Sequence, residues 1–162
     1  MSHVIANPAG MHYTAPILLP EEVFIVDKFV KGFIVMSVVY LGAAAVMGIV
    51  MLANQDVMAL KFVHSHLNML GWVSMMIYGV GYHILPRFMG RALYSNKIGE
   101  IQFYLANISL VSMLLFYALN VYNPSDLYRT ITVVSGAVQA FTLFLFLYNM
   151  LMTLLTKVEQ PH

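Results

Sequence analysis

Cysteine is absent from the 162-residue chain. That removes disulfides, thiolate metal centres, iron–sulfur clusters and thioether-linked haem at once. Charge is nearly as scarce, at 9 % of residues against about 25 % in an ordinary soluble domain. Eight Lys and Arg against seven Asp and Glu give a net charge of +1, so no basic excess points to nucleic acid as a partner. What fills the chain instead is apolar: 60 % of residues, more than a surface in contact with water can accommodate.

The apolar residues gather in four stretches free of charge, Gly32 to Ala53, Phe62 to Pro86, Ile101 to Tyr122 and Thr130 to Thr156. Each exceeds the roughly 20 residues a helix needs to cross a hydrocarbon core. The connections are short and polar: Asn54 to Lys61, Arg87 to Glu100, and Asn123 to Asp126 leading to Arg129. Connections this short predict an all-α membrane protein, a four-transmembrane-helix up-and-down bundle over residues 28–157 in contact with the lipid bilayer. Lys28, Lys31, Arg87, Arg91, Lys97 and Lys157 fall at one set of span ends, and only Lys61 and Arg129 at the other. By the positive-inside rule both termini are expected in the cytoplasm, and the membrane is expected to be the inner membrane of a prokaryote. Residues 1–27 lack a signal-peptide pattern and read as a cytoplasmic N-terminal segment, extended around Pro8, Pro16 and Pro20, with Glu21 to Lys31 as an interfacial entry. Residues 158–162 read as a tail.

Three of six histidines, His64, His66 and His83, lie in or beside the second stretch. An ionisable side chain inside a membrane is costly unless it meets a partner or a cavity, so the pair His64 and His66 is the leading candidate site. His83, alone near the cytoplasmic end, reads as an interfacial residue bonded to a neighbour. On a helix two positions apart means about 200° of rotation, so His64 and His66 face nearly opposite ways and cannot share one metal ion. His83 is about 25 Å further along the axis. The third and fourth stretches hold no histidine, their polar residues being Gln102, Asn107, Asn120, Gln139 and Asn149. A bis-histidine site therefore closes only between chains, His64 of one subunit facing His66 of the next, in a cyclic homo-oligomer.

The stretch HSHLNMLGWVSMMIYGVGYHILPRFMG, His64 to Gly90, resembles an inner helix of the haem-copper oxidase and nitric oxide reductase catalytic subunit, the one whose His-x-His pair serves two haems. Val26 to Leu52 resembles that family's first helix more loosely. The family's subunit is built of three four-helix arcs, and this chain looks like one arc. The resemblance implies a haem-b-binding protein for electron transfer or for binding NO or O₂. His64 and His66 would be its axial ligands, a homotrimer its assembly, and a redox protein or quinol a possible partner. Lys61 and Arg129 would offset haem propionates or else anchor span ends at the headgroups, and Trp72 and Tyr78 would line the porphyrin edge or else serve as packing residues. The family's histidine cluster for copper, its histidine–tyrosine crosslink pattern and its intramembrane carboxylates are missing here, so oxygen reduction and proton pumping are not expected of this chain alone. Two other readings stay open: a copper protein, using the pair with Met69 among thirteen methionines, and an accessory subunit without a cofactor.

Overall fold

The computed structural model describes residues 27–155. The extended segment expected before residue 27 and the tail at 158–162 lie outside the described residues, and of the expected interfacial entry only the part merging into the first helix lies within them. The described residues form helices α1 (Lys28–Ala53), α2 (Lys61–His66), α3 (Met75–Phe88), α4 (Asn96–Tyr122) and α5 (Asp126–Leu155). A 3-10 helix (Gln55–Leu60) precedes α2, and a π-helix (Leu67–Ser74) joins α2 to α3 without a break, so helix runs continuously over 61–88. Among the described residues three helices, α1, α4 and α5, are long and apolar enough to cross a membrane.

The boundaries fall where the chain can satisfy its free backbone groups. Ser95 accepts a hydrogen bond from Ile98 N (3.3 Å), starting α4 earlier than the apolar stretch and taking Lys97 and Glu100 into it. Asp126 occupies the first turn of α5, where a carboxylate suits the helix dipole. At the end of α3, Gly90 adopts φ +59°, and the amides of Gly90 and Arg91 return to the carbonyls of Arg87 (3.0 Å) and Pro86 (2.9 Å). This is a Schellman closure, and glycine fits its left-handed position.

Successive helical runs fold back on one another. At one end Phe29 of α1 packs on Gly99 of α4, while Arg91 donates to the carbonyl of Leu154 (2.6 Å) and Ser95 N to Asn149 Oδ1 (3.1 Å) on α5. At the other end Phe62 stacks on Tyr117, and Phe116 lies beside Tyr128. α4 pairs along its length with α5, and α1 with the π-helix and α3. In the second pair a Cβ on Gly71 would fall 2.8 Å from Tyr40 Cβ, and one on Gly79 2.7 Å from Ile34 Cγ1, so these glycines set how closely α1 approaches.

The surface is as apolar as the core, and polar side chains are buried within it, unlike a water-soluble bundle. Gln102, Ser109, Gln139, Thr142 and Asn149 are buried between helices, whereas Ile49, Ile108, Val133 and Phe144 face outward. Tyr82 donates to Gln102 Oε1, Ser109 to Gln139 Oε1 (2.6 Å), Ser135 to Ser112 (2.9 Å) and Tyr40 to Asn107 Oδ1 (2.8 Å). Side-chain hydrogen bonds hold helices together where the surroundings supply no hydrophobic driving force.

Candidate cofactor site

Both histidines sit on α2, ahead of the π-helix, so the rotation expected of a regular helix holds between them, and they open onto different cavities. His64 lines a cavity of about 550 Å³ with Ala45, Gly48, Ile49, Leu52 and Met58. His66 lines one of about 360 Å³ with Leu70, Ser74, Tyr78, Met113 and Gln139 among its walls. Nothing brings the two imidazoles together within one chain. Among the described residues no group of three or more His, Asp or Glu side chains gathers around a common point.

His66 is held rigidly. Its Nδ1 lies 2.9 Å from the carbonyl of Phe62. A carbonyl only accepts, so Nδ1 carries the proton and Nε2 keeps its lone pair. The ring stacks on Phe62 (3.8 Å between centroids), which in turn stacks on Tyr117 of α4 (4.1 Å). An imidazole oriented through Nδ1–H to a backbone carbonyl, with Nε2 free, is the usual arrangement of a metal-ligating histidine.

The π-helix shapes the cavity beside this ring. His66, Leu70, Ser74 and Tyr78 all line it at intervals of four. On an α-helix each step of four advances about 40°, so three steps would carry Tyr78 about 120° off the His66 face. The wider π turn cancels that drift. Ser74 Oγ donates to the carbonyl of Met69, five residues back (2.8 Å). The opposite wall comes from Met113 on α4 and from Gly136, Gln139, Ala140 and Leu143 on α5. Gln139 is 4 % exposed, and its Nε2 has no hydrogen-bond partner.

His64 is placed differently. Its Cε1 edge faces α1, where a Cβ on Gly48 would stand 3.2 Å from Cε1, 3.8 Å from Nδ1 and 3.9 Å from Nε2. Nδ1 is buried without a partner. Nε2 lies 3.4 Å from Asn68 Nδ2, which also donates to the carbonyl of His64 at 2.9 Å. The second bond fixes the amide orientation, so the Asn68 N–H also faces Nε2, which acts as acceptor.

The other candidates are scattered. Lys61 is exposed at the start of α2, and Arg129 lines a separate cavity of about 390 Å³ at the start of α5 with Asp126 and Thr130. Trp72 is exposed on the π-helix and lines neither histidine cavity, whereas Tyr78 lines that of His66. Met69 points outward, 60 % exposed. His83 accepts from Arg87 at Nδ1 (2.7 Å), as an interfacial residue would.

Phe62, Tyr117, Asn68, Gly48 and Gln139 were not singled out by sequence. For Phe62 and Asn68 a signal exists: each stands four residues from its histidine, the spacing at which helical side chains meet. Tyr117, Gly48 and Gln139 reach the site through tertiary packing, which spacing does not encode. Compared with models of protein families and with characterised proteins, the chain matches none.

Proposed function

We propose that this chain is a four-span membrane protein that holds haem b between subunits, with His66 of one subunit and His64 of the next as axial ligands, for electron transfer or small-gas binding. The observation that carries the reading is the anchoring of His66: Nδ1–H on the Phe62 carbonyl, the ring clamped by stacking, Nε2 free beside a cavity. A haem brings four nitrogen donors of its own and asks the protein for one or two axial imidazoles. Two diverging histidines on one helix can supply these from two chains. A bare copper ion needs several protein donors converging on one point, and the divergence of His64 and His66, with Met69 turned outward, makes that the weaker reading.

Haem supplies the redox-active iron when bound; the chain's own residues orient and shield it. Phe62 and Tyr117 fix the ring of His66, and apolar walls exclude water. The mouth of the His64 cavity is lined by Ala45, Ile49, Leu52 and Met58, and its occupant is a second copy of this chain presenting His66. Contacts of that head-to-tail kind close as rings. The resemblance to a three-arc family makes the ring a trimer. The run over 61–88, whose α2 end meets the end of α4 at Tyr117 and whose α3 end meets its start at Gln102, is the fourth span. Arg87, Arg91 and Lys97 lie toward one end of the helices and Lys61 and Arg129 toward the other, which supports a reading with the first end in the cytoplasm, the membrane being the inner membrane of a prokaryote. Lys61 and Arg129 then stand where propionates of an outer-leaflet haem would need cations.

The visible spectrum of the detergent-purified protein tests the reading. Sharp b-type bands on reduction, lost on replacing His66, are the expected result. A colourless protein, or stoichiometric copper without haem bands, would overturn it.

A further inference from the structure

We infer that His64 is a movable ligand with a parking niche against α1, so that the haem site admits a small neutral gas when His64 withdraws. The inference rests on the haem reading above and concerns what distinguishes the two ligands. His66 is fixed in the orientation in which it binds. His64 stands in a different one: its Cε1 faces Gly48, with Nδ1 and Nε2 at nearly equal distances, and Asn68 approaches Nε2 with an amide N–H.

Two features make the niche. Gly48 leaves room for the ring edge, and a side chain larger than hydrogen there would press on Cε1. Asn68, one helical turn on, offers Nε2 a weak hydrogen bond in place of a metal. His64 also lacks what strengthens a histidine ligand, an acceptor for its Nδ1–H, which is buried and alone. A ligating imidazole without that outer-shell bond is less basic and less well oriented. His64 is thus the ligand that leaves, and Gly48 and Asn68 are positioning residues that stabilise its withdrawn state.

The exchange is balanced without any co-reactant. With carbon monoxide as the probe, one nitrogen–iron bond breaks, one carbon–iron bond forms, and no electron is transferred. His64 departs as the neutral Nδ1–H form, so no proton moves.

The experiment uses the full-length complex in mild detergent, reduced with dithionite and titrated with carbon monoxide while the visible spectrum and haem content are followed. Wild type is expected to bind carbon monoxide. Gly48→Ala sets a Cβ 3.2 Å from Cε1 and crowds the niche without filling the cavity, and Asn68→Leu removes the amide. Each should keep its haem, shift the spectrum further toward the six-coordinate form and weaken carbon monoxide binding about tenfold, because the competent fraction falls. Haem retained with unchanged affinity in both variants would overturn the inference, as would a haem-loaded wild type that binds no carbon monoxide. Neither result touches the haem reading. A wild type without haem would overturn that reading itself and the inference with it.

Discussion

The two ends of the helical run over 61–88 are built on different principles. At the α3 end, Tyr78 and Tyr82 pack on Phe33 of α1 and Phe146 of α5, with Tyr82 bonded to Gln102 and Asn149. At the α2 end the run stands away from α5, leaving the cavity beside His66 and the Nε2 of Gln139 without a partner. Ring packing across three helices marks the first as the part that holds helices together, with Gln102 Nε2 its one unpaired polar atom among the described residues. A cavity walled by several helices beside an imidazole anchored through Nδ1 marks the second as the candidate binding end. Substitutions should therefore separate: binding is lost at the α2 end, stability at the α3 end.

The largest separation is expected for His66→Ala. Haem content should fall to less than about a tenth of wild type, since the one pre-oriented ligand is gone, with thermal stability of the haem-free protein unchanged. His64→Ala should lose less, because His64 has no acceptor for Nδ1 and would be the weaker ligand. Gly136→Val comes next. A Cβ there meets only Met113 Sδ, at 3.5 Å, so the larger side chain enters the His66 cavity rather than the packed core. Haem content should drop several-fold while chemical unfolding in mixed micelles stays where it was. Equal losses of binding and stability in these variants would break the distinction between the two ends.

At the α3 end the effects should invert. Phe33 is fully buried among Tyr78, Tyr82 and Phe103. In lipid the transfer contribution shrinks and the cavity contribution remains, so Phe33→Ala should destabilise the fold by about 2–3 kcal/mol, read by unfolding in mixed micelles. Tyr82→Phe removes one hydroxyl bonded to Gln102 and should cost about 1 kcal/mol. His83→Ala is the smallest: its bond to Arg87 lies at an exposed helix end, and neither haem content nor stability should change measurably.

The helical architecture was legible in sequence because uncharged stretches and polar connections leave few alternatives. The starts of α4 and α5 run ahead of the apolar stretches because Ser95 caps α4 and the Asp126 carboxylate suits the first turn of α5. The opposite facing of His64 and His66 was legible for a simple reason: both precede the π-helix, so regular rotation applies between them. The π-helix itself was not, since Leu67 to Ser74 carries no residue that favours a wide turn over an α turn. With it went the alignment of His66, Leu70, Ser74 and Tyr78. Trp72 was expected at a cofactor edge on the basis of resemblance and lies outside both cavities; Lys61 and Arg129 stand near helix starts, as their positions imply.

The central claim is that the haem belongs to an interface rather than to a chain. Native mass measurement of the complex in mild detergent, with activation raised until subunits separate, tests it most directly. The account predicts an intact trimer carrying three haems, each lost as the interface holding it opens, and no single chain that retains one. A haem-bearing monomer would contradict it, because among the described residues one chain has no second histidine facing the same way as the first.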